Sequence, residues 1–256
     1  MRKAWSRFRR GISSGYKIFC EREAYWLDDY ALFTALQGEQ GASWTKWEPA
    51  LAHREPDALR EAAERLSGEC EFIRFCQYVF TCQWQRLHTY AKKRGIRIMG
   101  DMPLFVAHDS ADVWAHQELF ALDVDGAPLK VAGVPPDYFC EDGQLWGNPQ
   151  YDWAAMEKDG FSWWSARLSR LAKLTDIIRI DHFRGLAAYW EVDAGAETAK
   201  EGRWVSGPGH KFFEAVREVL RGAEVVAEDL GVQSPEVENL RRREGLPGMQ
   251  VLEFSL

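Results

Sequence analysis

Three times along this chain a helix-patterned stretch gives way to a short β-prone run that ends on an acidic residue. Between residues 69 and 94 the apolar positions Phe72, Cys76, Val79, Trp84, Leu87 and Ala91 recur at three- and four-residue intervals, and Gly95 is placed to cap the helix. Ile96-Arg97-Ile98-Met99-Gly100 follows and ends at Asp101. The same alternation predicts a helix over 161–174, a strand over 176–180 and then Asp181. It recurs as a helix over 209–221, with Phe212, Phe213, Val216 and Leu220 on one side, a strand over 224–227 and then Glu228. A last helix starts with Ser234 as N-cap and Pro235 at its first position, and leads to a strand-like run over 249–254.

Helix then strand, repeated, requires a parallel sheet with crossover helices. Strands that each end in an acid narrow this to a (β/α)8 barrel of the TIM type, where reacting groups sit at the carboxyl ends of strands. A doubly wound open sheet is the alternative, but no glycine-rich phosphate loop follows any of these strands. Only four barrel strands are legible where a closed barrel needs eight. The expectation is therefore an incomplete barrel: a helical region over 1–95, then the central part of the barrel over 96–256, with an insertion at 107–160. That insertion is rich in proline, glycine and aromatic residues and reads as a long functional loop, not as regular structure.

The net charge of −7 argues against a general nucleic-acid binder, and the basic cluster Arg7, Arg9 and Arg10 reads as a solvated helix face. No run of apolar residues suggests a membrane span or a signal peptide. The five cysteines lack metal-ligand spacing and are expected reduced, as in a cytoplasmic protein. Twelve tryptophans exceed what a core of this size requires. Their flat apolar faces with an edge donor suit sugar rings, although core packing accounts for most of them individually.

Arg179 and Asp181 share one face of their strand because side chains alternate. A carboxylate beside arginine stays ionised, as a nucleophile must, although a structural ion pair would look the same in sequence. Glu228 ends an apolar strand beside Asp229, an environment that favours a protonated acid able to donate to a leaving group; a capping acid is the plain alternative. Two such carboxylates in one barrel mouth form the pair that glycosidic-bond chemistry uses. Asp101 is a third strand-end acid, suited to hydrogen-bonding sugar hydroxyls or to fixing its own loop.

These segments also carry a resemblance. Residues 100–107 (GDMPLFVA), 109–114 (DSADVW), 131–139 (VAGVPPDYF), 144–149 (QLWGNP), 179–185 (RIDHFRG), 227–231 (AEDLG), 247–249 (PGM) and, upstream, 26–33 (WLDDYALF) are similar to the amylomaltases, glycoside hydrolase family 77. The resemblance covers nearly the whole chain. It implies a 4-alpha-glucanotransferase that moves α-1,4-glucan segments to glucose or maltooligosaccharide acceptors with retention, without metal or organic cofactor. It further implies Asp181 as nucleophile, Glu228 as general acid/base, Arg179 as the cation keeping the nucleophile ionised, and Asp101, His182, Asp137 and Trp146 as sugar contacts. The family's third carboxylate, in a His-Asp-Asn type motif, has no counterpart in this sequence, so negligible activity is expected of this stretch alone. A hydrolase of the broader α-amylase clan and a non-catalytic glucan-binding protein are the competing readings.

Overall fold

The computed structural model describes residues 1–138, 140–230 and 234–252. The chain divides into two compact units, one formed by Met1–Leu87, His108–Gln117 and Val124–Ala127, the other by His88–Ala107, Glu118–Asp123 and Pro128–Leu256.

The first unit is helical. It holds α1 (Arg2–Phe8), α2 (Ser14–Gln40), α3 (Pro49–Ala52), α4 (Pro56–Arg65), most of α5 (Ser67–Lys92) and α6 (Ala111–Ala115). Ser13 caps α2 by accepting the Tyr16 N–H, and Pro49 and Pro56 open α3 and α4, where a missing N–H costs nothing. Six of the twelve tryptophans are buried, and this unit takes four of them: Trp5, Trp44, Trp47 and Trp114. Phe33, Trp47 and Trp114 pack ring against ring at 5.3–5.8 Å, so half of the tryptophans are core and not sugar platform. Helix α5 ends as expected: Gly95 has φ +71°, and the Ile96 N–H closes back on the Ala91 carbonyl.

The second unit is built on a three-stranded parallel sheet in the order β1 (Met99–Met102), β4 (Ile177–Ile180), β7 (Glu224–Ala227). Its remaining helices are α7 (Trp153–Lys158), α8 (Ser162–Leu174), α9 (Arg184–Ala187), α10 (His210–Leu220) and α11 (Pro235–Arg243). Gly100, Ile178 and Val225 are in register, as are Met102, Ile180 and Ala227. The side chains of Met102, Ile178, Ile180, Val225 and Ala227 are buried. A Cβ on Gly100 would come within 2.6 Å of Thr175 and 2.8 Å of Leu171, which identifies this as the face covered by α8. The opposite face carries Asp101, Arg179 and Val226 in register and is only partly covered. Asp176 pins the lower end of the sheet: its carboxylate accepts the Ile98 N–H at 2.9 Å and pairs with His88 at 2.8 Å. That anchoring starts β1 at Met99, later than the sequence suggests, so Asp101 lies inside the strand and not beyond it.

The 107–160 stretch is not the loop its composition suggests. It holds α6, a 3-10 turn (Gln117–Leu119), β2 (Lys130–Val134), β3 (Gln144–Pro149) and α7. Strands β2 and β3 join β5 (Ala188–Asp193) and β6 (Gly202–Ser206) in an antiparallel sheet of order β3-β2-β5-β6. Most of β3 is exposed, so it shows none of the apolar alternation that announces a strand. The expected strand over 249–254 falls partly outside the described residues, and its described part, 249–252, pairs with no strand. Among the described residues three parallel strands are present, not four.

Candidate active site

Strand register assembles the site. Arg179 lies opposite Asp101 on β1, and Ile180 lies opposite Ala227 on β7, so Asp181 and Glu228 leave neighbouring parallel strands one residue further on. The Asp181 N–H is held by the Met102 carbonyl at 3.0 Å, and the Glu228 N–H by the Ile180 carbonyl at 3.0 Å. Both carboxylates therefore start from fixed backbone at the carboxyl edge of the sheet.

A single guanidinium nitrogen of Arg179, Nη1, sits 2.7 Å from Asp101 Oδ1 and 2.8 Å from Asp181 Oδ1. Partial burial works against the charge on Arg179. Hydrogen bonds and charge from Asp101 and Asp181 outweigh it and hold the pKa above its ordinary value. The three residues form one shared ion pair, with the cation less exposed than either acid.

Between the two strand ends stands His182, with φ +50°. This left-handed turn directs its backbone N–H to Glu228 Oε2 at 2.9 Å, while the Leu230 N–H donates to Oε1 at 3.0 Å. Both oxygens of Glu228 are thus oriented by backbone donors. The His182 imidazole is packed at 4.8 Å edge-on to Trp146 and at 6.1 Å from Phe105. Burial, with a smaller contribution from the charge of Arg184, pushes its pKa down to about 4, so the ring is neutral at neutral pH. Its Nε2 is buried and has no hydrogen-bond partner among the described residues. A Cβ on Gly185 would collide with Leu104 and crowd the His182 ring.

A cavity of about 200 Å³ opens over Asp181 and His182, lined also by Leu104, Phe105, Trp146 and Asn148; Asp101, Arg179 and Glu228 do not line it. Trp146 is 39% exposed, with its Nε1 donating to Gln144 at 3.0 Å. Asn148 donates its amide to the Val106 carbonyl at 2.9 Å, which fixes the side chain at the cavity wall. A larger cavity of about 670 Å³ lies near the start of β7, lined partly by His210, Arg217 and Arg243. It holds neither strand-end carboxylate, so chemistry and not volume selects the smaller one.

Of the seven residues singled out in the sequence, Asp101, Arg179, Asp181, His182 and Glu228 meet through the contacts above, and Trp146 joins them through its ring. Asp137 does not line the cavity. It lies exposed in the β2–β3 connection, where its backbone and carboxylate close a turn on Cys140 at 3.1 and 2.8 Å. Leu104, Phe105 and Asn148 line the cavity without having been expected there. Their motifs stand out in sequence, but only the fold shows which side chains of those motifs face inward.

Parallel strands delivering carboxylates to their carboxyl edge, faced by aromatic rings, define the active face of an α/β-barrel enzyme. Residues 1–256 match the glycoside hydrolase family 77 profile, described as 4-alpha-glucanotransferase, and the chain belongs to that family. It is 55% identical over 241 residues to the 4-alpha-glucanotransferase of Thermus thermophilus, covering 94% of this chain and 48% of that one. It is 46% identical over 255 residues to the Aquifex aeolicus 4-alpha-glucanotransferase, covering 100% of this chain and 52% of that one. The amylomaltase from Streptococcus agalactiae, solved in complex with acarbose, superposes with a TM-score of 0.89 at 40% identity, over 93% of this chain and 48% of that one. The chain thus spans about half the length of the relatives it matches. The fold is the (β/α)8-barrel type of these amylomaltases, present in part.

Proposed function

We propose that this chain carries the nucleophile and the acid/base of a retaining 4-alpha-glucanotransferase acting on α-1,4-glucans. The observation that carries this is the adjacency of Asp181 and Glu228 on paired parallel strands, with Arg179 bound to the first and backbone N–H groups bound to the second. Neighbouring strands run about 4.8 Å apart. Side chains leaving adjacent strands can therefore bring two carboxyl groups to the ~5–5.5 Å used by retaining enzymes. Asp181 attacks the anomeric carbon while Glu228 gives its proton to the leaving oxygen. Glu228 then takes a proton from an incoming sugar hydroxyl, which displaces Asp181 and restores the α-linkage. Arg179, 2.8 Å from Asp181 Oδ1, sets a positive charge beside that carboxylate both as it attacks and as it leaves. The His182 and Trp146 rings line the cavity beside Asp181 and are proposed as its sugar-contacting walls. Asp137 is proposed as a contact from the β2–β3 connection, and Asp101 acts through its ion pair with Arg179.

Maltotriose distinguishes the readings. The 256-residue chain, and the same chain extended by the flanking segments of its relatives, are incubated with it and the products resolved by chromatography. Glucose together with longer oligomers from the extended chain, lost in Asp181→Asn, is the expected result, with little turnover from the 256 residues alone. Products that only shorten would replace transfer with hydrolysis, and turnover that survives Asp181→Asn would remove the nucleophile assignment.

A further inference from the structure

Glu228 is held in front by two N–H donors; a second set of contacts holds its backbone from behind. Its neighbour Asp229 turns the other way. Asp229 Oδ1 accepts the Met249 N–H at 2.7 Å, and Oδ2 pairs with Arg241 Nε at 3.1 Å. Arg241 Nη1 donates to the Leu246 carbonyl at 2.8 Å, Nη2 donates to Glu238 within α11 at 2.8–3.1 Å, and Nε, the atom beside Asp229, also donates to Glu238 at 3.0 Å. The Ala227 N–H donates to the Pro247 carbonyl at 2.9 Å. Gly248 has no side chain because the Asp229 carboxylate occupies the place where its Cβ would stand. The Asp229 and Arg241 side chains are 14% and 21% exposed, so water competes little for these bonds.

We propose that Asp229 and Arg241 are positioning residues for Glu228, fastening the end of β7 to the turn at residues 246–249 and to α11, so that the Glu228 carboxylate stays against His182 and Leu230. Asp229 is the residue next to Glu228, and Arg241 binds both it and the turn. If the clamp lets go, the 228–230 segment rotates and the two N–H bonds to Glu228 lengthen, although β4 and β7 remain paired. The catalytic consequence rests on the glucanotransferase reading, but the clamp itself is a statement about geometry.

The test is residue-resolved amide hydrogen exchange on the 256-residue chain. His182 and Leu230 are read against Ile178 and Ile180, which report the integrity of β4. In Arg241→Gln, and in Gly248→Ala, where the new Cβ displaces the Asp229 carboxylate, protection at His182 and Leu230 is lost while Ile178 and Ile180 keep theirs. Asp229→Asn, which retains an acceptor for Met249 but loses the charge for Arg241, falls between these and the unaltered chain. Protection at His182 and Leu230 that is unchanged in Arg241→Gln and Gly248→Ala, or that falls only in step with Ile178 and Ile180, overturns the proposal. Maltotriose turnover by the extended chain is scored separately: its absence would defeat the glucan reading and leave the exchange result standing.

Discussion

His182 holds a backbone conformation that costs a non-glycine residue on the order of 1–2 kcal/mol, and it does so between the two carboxylates. The return is geometric, because only that turn gives its N–H to Glu228 while its ring faces the cavity. The ring has a pH signature of its own. Its folded pKa of about 4 lies below the ordinary 6.5, so between those values the native state binds fewer protons than the unfolded chain. Stability is therefore full above about pH 6.5 and falls as pH drops toward 4, by about 3 kcal/mol from this group. In His182→Asn, whose side chain tolerates a left-handed backbone, that slope disappears; urea unfolding at several pH values measures it. Asp181 and Glu228 could be read from sequence because a strand-end acid has a recognisable address. The Nε2 of His182, Phe105 and Asn148 could not, since their roles depend on which way a turn folds the ring and which wall faces the cavity.

At the scale of elements, the helix–strand alternation located β4, β7, α5, α8, α10 and α11 to within about two residues, because each repeats apolar positions at the period of its own geometry. Strands β2, β3, β5 and β6 escaped. Gly133 and Gly143 read as breakers, yet β2 needs the first: a Cβ on Gly133 would stand 2.5 Å from the Gln144 carbonyl of its partner strand. Trp190 and Trp204 face each other across β5 and β6 at 5.3 Å, a cross-strand pair that sequence distance conceals. Gly100 is the matching case in the parallel sheet. Gly100→Ala forces Thr175 and Leu171 of the α8 segment away from β1 and is expected to destabilise the chain by about 1–3 kcal/mol, read as a lower urea midpoint with unchanged m. An unchanged midpoint would mean that α8 does not press on β1.

For the molecule as a whole, the parallel sheet is covered well on one face and thinly on the other, and only its middle strand has partners on both sides among the described residues. Hydrogen exchange should follow that order: amides of β4 slowest, those on the outer edges of β1 and β7 faster. Uniform protection across the three strands would contradict the topology. The two faces also divide the sheet between different selective demands. Gly100, Met102, Ile178, Ile180, Val225 and Ala227 answer to folding, whereas Asp101, Arg179, Asp181 and Glu228, interleaved with them, are the positions proposed to answer to chemistry. A saturation library over these strands, scored once for soluble expression and once for turnover in the extended chain, should therefore show a tolerance map with a period of two. The two scores would peak on opposite residues, so that a neighbour in sequence is the least informative guide to what a position will accept.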